Sequence, residues 1–80
     1  MKKVIEGNVD LRNLCLFELP DFLSDVEVTG DFECSDNKLT SLVGSPKSVG
    51  GDFYCYDNPK KFTEEEIRRV CKVKGRVIIK

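Results

Sequence analysis

The chain has 80 residues and no histidine. That absence removes the imidazole that usually activates a serine or cysteine nucleophile, and it removes a common partner of cysteine in zinc sites. Also missing are a CxxC pair and the GxxxxGK(S/T) loop that cradles phosphates. No stretch approaches the roughly 18 apolar residues of a membrane-spanning helix. Lys2 and Lys3 are followed by Val4, Ile5 and Glu6 rather than by an apolar run, so no signal peptide is expected. These absences predict a protein that is not an enzyme, uses no cofactor and no metal, and resides in the cytoplasm with its four cysteines as thiols.

What the chain has is a repeat. The pattern apolar, any, glycine, any, apolar, any, apolar runs from Ile5 to Leu11, from Val28 to Cys34, from Val49 to Cys55 and from Val73 to Ile79. Its glycines, Gly7, Gly30, Gly51 and Gly75, stand 23, 21 and 24 residues apart, a period suited to stacked units rather than to separate domains. Alternation at period two predicts four short parallel strands with the apolar members and the glycine facing inward. Asn8, Asp31, Asp52 and Arg76 then form one outward row, Asp10, Glu33, Tyr54 and Ile78 a second, and Arg12, Ser35, Tyr56 and Lys80 a third. The repeated glycine serves either a bend or the close approach of adjacent units, and the sequence leaves both open.

The match continues past the strands. Phe32, Cys34, Asn37, Leu39 and Leu42 are spaced as in a leucine-rich repeat, and Phe53, Cys55 and Asn58 begin a second copy that Pro59, Lys60 and Lys61 break. The run Leu39 to Leu42 followed by Pro46 resembles the short repeats of bacterial and phage proteins. Val9, Leu11, Leu14, Leu16 and Leu19 keep the spacing, with Leu14 where the asparagine belongs. The resemblance implies an α/β solenoid in which Asn37 and Asn58 stack as a ladder and the later leucines turn inward. One domain over 1–80 is expected, with repeat units at about 5–27, 28–48 and 49–62 and a C-terminal cap at 63–80.

Thr63 and Glu66 read as a capping box opening a helix over about 63–72, with Ile67, Val70 and Cys71 as its apolar stripe. This helix is expected to cover the third unit and lead into a closing strand at about 75–79. Cys34 and Cys55, at equivalent positions in neighbouring units, are expected to be core residues, and Cys15 to be the accessible thiol.

Charge is unevenly placed. Residues 1–58 carry five basic and eleven acidic side chains, a balance of −6, whereas residues 59–80 carry eight basic and three acidic, a balance of +5. The outward residues Asp10, Asp31, Glu33, Asp52, Tyr54 and Tyr56 predict an anionic face with an aromatic centre, suited to a protein partner with a basic surface. A small non-catalytic binding module that blocks or modulates its partner is therefore the leading expectation. Its economy resembles small phage-encoded proteins, inhibitors of host defence among them, which would act in the host cytoplasm. Two other readings compete. One is self-assembly, joining acidic and basic ends or pairing the closing strands through Arg76, Ile78 and Lys80 into a homodimer. The other is nucleic-acid binding by the basic C-terminal end. The closing strand is also expected to be covered, either by that dimer or by the residues before Gly7, because bare edges beside an apolar side chain are usually avoided.

Overall fold

The computed structural model describes residues 3–79, in two four-stranded parallel sheets and one helix. The first sheet joins β1 (Lys3–Ile5), β3 (Val26–Val28), β5 (Ser48–Val49) and β7 (Lys72–Val73) in that order. The second joins β2 (Val9–Asp10), β4 (Phe32–Glu33), β6 (Phe53–Tyr54) and β8 (Val77–Ile78). Each glycine-centred segment thus supplies a strand to both sheets, and the expected single row of four strands is two rows. The glycine is a corner between them. Equivalent residues pair in register, Val9 with Phe32, Phe32 with Phe53 and Phe53 with Val77.

The reason for glycine is close approach. Gly30 donates its N–H to the Gly7 carbonyl at 2.9 Å, Gly51 to that of Gly30 at 2.9 Å, and Gly75 to that of Gly51 at 3.0 Å. A Cβ on Gly30 would meet the Asn8 carboxamide and lie 2.7 Å from the Gly7 carbonyl oxygen. Cβ atoms on Gly51 and Gly75 would likewise overlap the Asp31 and Asp52 carboxylates. Among these four glycines only Gly7 has positive φ, at 99°, so a bend explains the first and crowding the other three.

Beside the glycines runs a ladder of side chains. Asn8 Oδ1 accepts the Asp31 N–H at 2.7 Å, Asp31 Oδ1 that of Asp52 at 2.8 Å, and Asp52 Oδ1 that of Arg76 at 2.8 Å. A second ladder lies where the chain leaves the second sheet. Asn37 Oδ1 accepts the N–H groups of Leu14 and Leu16, and its Nδ2 donates to the Leu11 carbonyl at 2.8 Å. Asn58 treats the unit before it in the same way, accepting from Leu39 and donating to Cys34 O, both at 3.1 Å. Each asparagine serves the preceding unit's backbone. In the first unit Leu14 stands at that position.

Between the sheets and the return segments lies the core. Phe32 and Phe53 have no exposed surface and stack with ring centroids 5.1 Å apart, flanked by buried Cys34, Cys55, Leu39, Leu42, Val28 and Val49. An aromatic pair of this kind adds about 1 kcal/mol to the burial of its rings. The return segment of the first unit contains a 3-10 helix, Asp21–Asp25, and that of the third contains α1 (Glu64–Val70). Thr63 caps α1, with its hydroxyl accepting the Glu66 N–H at 3.1 Å and the Glu66 carboxylate accepting the Thr63 N–H at 3.0 Å. Ile67 and Cys71 are buried, but Val70 is 48% exposed and does not belong to the buried stripe. Lys72, expected in the helix, begins β7.

The stack ends in side-chain caps. In each inner unit the carbonyl two residues before the glycine and the glycine carbonyl accept N–H groups of the next unit: Val28 O from Gly50 and Gly30 O from Gly51, for example. In the last unit the corresponding carbonyls of Val73 and Gly75 accept Arg68 Nη1 and Nη2 at 2.8 and 3.0 Å. The guanidinium stands where a fifth unit's backbone would lie. At the other end the Gly7 N–H is taken by the Thr29 hydroxyl at 2.9 Å. Of the residues before Gly7, Lys3–Ile5 form β1, paired with β3 at the opposite edge, so these do not cover β8 as expected; Met1 and Lys2 lie outside the described residues.

Substitutions at two positions test the corner. Asp52→Asn should leave the thermal midpoint nearly unchanged, since Asn8 already fills a rung, whereas Asp52→Ala should cost about 1 kcal/mol. Gly51→Ala should cost about 1–3 kcal/mol through overlap with the Asp31 carboxylate and crowding against the Gly30 carbonyl, and in a domain of this size each kcal/mol lowers the midpoint by roughly 4–8 °C. An unaffected Gly51→Ala variant would contradict the close approach.

Candidate functional site

The outer surface of the second sheet carries the residues expected to form a contact face, and the structure divides them by role. Asp31 and Asp52 are half-buried, and each spends Oδ1 on the ladder. Their negative charge still lies at the face, but their first role is structural. Ser35, expected to point outward, is buried, and its hydroxyl accepts the Tyr56 N–H at 3.1 Å. The turn that leaves the sheet folds this position under, a turn marked by positive φ at Asn13, Asp36 and Asp57 one residue later in successive units.

The middle row remains: Asp10, Glu33 and Tyr54, with Ile78 beyond them, aligned by the pairing of β2, β4, β6 and β8. Asp10 is exposed and the other three half-buried. Arg12 bridges the first two, with Nη2 at 3.0 Å from Asp10 Oδ2 and Nε at 3.4 Å from Glu33 Oε2. The hydrogen bond from Arg12 holds the Asp10 carboxyl below its ordinary value and raises the guanidinium in turn. Tyr54 stands 3.5 Å from Asp52 Oδ2 through its hydroxyl. Partial desolvation, followed by the carboxylates of Asp52, Asp31 and Glu33, pushes its phenol above the ordinary 10.0. Tyr56 is half-buried alongside. The face is therefore a tyrosine hydroxyl ringed by three carboxylates, with one arginine at its N-terminal margin.

Of the proposed dimer residues, Arg76 is exposed and Ile78 half-buried on the last strand, while Lys80 lies outside the described residues. The basic end is less open than its composition implies. Lys60 pairs with Glu66 at 3.0 Å, Arg68 with Glu64 at 2.8 Å and Arg69 with Glu65 at 2.9 Å. Among the described residues, Lys61, Lys72, Lys74 and Arg76 form no ion pair.

The sequence reading missed three exposed apolar side chains on the first unit's return segment. Leu14, Phe17 and Phe22 are 55%, 69% and 64% exposed. Phe17 and Phe22 fall outside the repeat pattern and on no amphipathic helix, so no periodicity marks them as surface residues. The cysteines follow expectation: Cys34, Cys55 and Cys71 are buried thiols and Cys15 is exposed. Contact with the Cys55 thiol, and then burial, push Cys34 up, and burial pushes Cys71 up to about 11. Among the described residues no group of three His, Cys, Asp or Glu is placed to hold a metal ion, and no helix is long and apolar enough to cross a membrane.

No family model matches the chain, and no curated protein or solved structure shows significant similarity to it.

Two measurements check these environments. In a Tyr56→Phe background the remaining phenol should ionise above pH 10, followed by absorbance, and Glu33→Gln should move it downward; a titration unmoved by Glu33→Gln would separate that carboxylate from Tyr54. A thiol reagent at about pH 8 should label Cys15 rapidly and Cys34 and Cys71 only on unfolding, because the thiolate is the reacting form. Equal rates in the native protein would overturn the buried assignment.

Proposed function

We propose that the chain is a short solenoid of the leucine-rich-repeat kind and works as a non-catalytic binding module, which occupies a basic surface of another protein. One observation carries the reading: the side chains of Glu33 and Tyr54 sit side by side on paired strands, within reach of the Asp31 and Asp52 charges, and bond no backbone of a neighbouring unit. The fold thus holds a carboxylate and an aromatic in fixed positions, through the Arg12 and Asp52 side chains rather than through the repeat's backbone ladders. A rigid tyrosine brings large contact area at low entropic cost, and the surrounding negative potential steers a cationic partner to it. The repeat spacing and the two ladders support the solenoid assignment. The phage-like, inhibitory role rests on analogy of size and repeat type alone.

The exposed Leu14, Phe17 and Phe22 of the first unit's return segment favour a second reading, self-association through that unit. Nucleic-acid binding is less well supported, because Lys60, Arg68 and Arg69 are engaged within the chain.

Tyr54→Ala and Tyr56→Ala should each weaken a partner complex by about tenfold or more with the thermal midpoint little changed. Glu33→Lys should slow association and reduce its salt dependence, read by surface plasmon resonance against a partner recovered by affinity capture. Normal binding by all three variants would reject this face. A mass above one chain in light scattering, restored to one chain by Phe17→Ser, would favour the second reading.

A further inference from the structure

We propose that the outer edge of β8 is a docking strand for an acidic, extended segment of another protein, which adds to the second sheet as a fifth strand. The inference is independent of the face argued above. Its first support is the hydrogen-bond rule that the inner units obey. The residue two after each glycine donates its N–H to the next unit, as Val9 does to Asp31 O, Phe32 to Asp52 O and Phe53 to Arg76 O. So does the residue four after it, as Leu11 does to Glu33 O, Cys34 to Tyr54 O and Cys55 to Ile78 O. In the last unit these residues are Val77 and Ile79, and among the described residues no next strand receives their N–H groups. Val77, Ile78 and Ile79 are all half-buried, so a docked strand would cover apolar surface as well as satisfy donors.

Charge selects the occupant. Arg76 at the head of β8, Lys74 before it and Lys61 beside its end are without ion pairs among the described residues, whereas the cations of α1 are paired. A cavity of about 100 Å³ at the end of the strand is lined by residues including Tyr56, Asp57, Asn58, Lys61, Phe62 and Ile79, large enough for a small side chain of the incoming segment. An acidic strand therefore finds donors along the edge and cations at both of its ends.

The other candidate is a second copy of this chain, stacked by continuing both sheets. Arg68 opposes it. Its guanidinium already fills the Val73 and Gly75 carbonyls that the Glu6 and Gly7 backbone of a second copy would need. Pairing two β8 edges about a twofold axis would instead bring Arg76 and Lys74 of both copies together, at a cost in like-charge repulsion. The second sheet is open to one added strand while the first is closed to a whole unit.

The test uses the full chain and a fluorescein-labelled pentapeptide of alternating glutamate and valine, with a lysine-for-glutamate counterpart. Anisotropy should show saturable binding of the acidic peptide, weakened at about 0.5 M salt, and none of the basic one. Arg76→Glu should weaken binding by about tenfold. Ile79→Pro, which deletes a donor that the fold does not use, should do the same. In the wild-type protein, amide resonances of Val77 and Ile79 should shift on titration, a readout that stands even where the proline variant folds poorly. Equal binding of both peptides, no binding at about 1 mM peptide, or unmoved Val77 and Ile79 amides would overturn the proposal. So would a peptide-free mass of two chains in light scattering that falls to one with Ile79→Pro, since a second copy would then hold the edge.

Discussion

The structure depends on how near successive backbones come at the glycine corner. Two chains that approach within a direct N–H to carbonyl bond leave no room for a Cβ on the inner side, and the space that glycine vacates is filled by the Asx side chain of the preceding unit. The same contact therefore fixes two positions in the sequence, a glycine and the residue after it. It also fixes register. An Asx side chain has the reach to meet the next unit's N–H, so sliding one unit against another by a residue would break the ladder, the glycine bonds and the Phe32 to Phe53 stack together.

A stack of this kind is open at both ends by construction, and its backbone groups must go somewhere. This chain closes the corner with side chains instead of further units. Thr29 takes the Gly7 N–H at one end, and Arg68, held by Glu64 on α1, takes two carbonyls at the other. The ladder stops because Arg76 has no side-chain acceptor to offer. Helix α1 thus has two functions in the fold: Ile67 closes the core, and Arg68 closes the first sheet. Among the described residues no buried side-chain nitrogen or oxygen lacks a partner.

The features that repeat were legible in the sequence. The glycine spacing, the inward phenylalanines and cysteines, the Asn37 and Asn58 positions and the Thr63 to Glu66 cap all appear where the pattern put them, because each answers to a local rule of period or capping. What was misread follows from treating the glycine as a strand residue. Seen as a corner, it separates Val28 from Phe32 into different sheets, and the four two- or three-residue strands before it become visible. Ser35 was misassigned because period-two alternation was carried two residues past the end of β4, into a turn that buries it. Val70 was misassigned because a seven-residue helix buries a narrower stripe than i, i+3, i+4 counting implies. The roles of Arg68 and Thr29 had no signal in the sequence at all, since each occurs once and a repeat analysis sees only what recurs.

The three outward rows differ in what the fold asks of them, and that difference bears on function. The row after the glycine must be Asx wherever another unit follows, and Asn8, Asp31 and Asp52 comply. In the third row Ser35 packs into a turn, and its hydroxyl accepts the Tyr56 N–H of the next unit. The side chains of the middle row make no bond to a neighbouring unit's backbone, and it is here that residue types vary most: Asp10, Glu33, Tyr54 and Ile78 differ in charge, size and polarity on one continuous sheet. Where a repeat imposes no residue type, the types present answer to something outside the repeat. A carboxylate, an aromatic and an apolar residue in adjacent registers form a graded surface, acidic towards β2 and apolar towards β8, and this gradient joins the proposed contact face to the free edge of the second sheet.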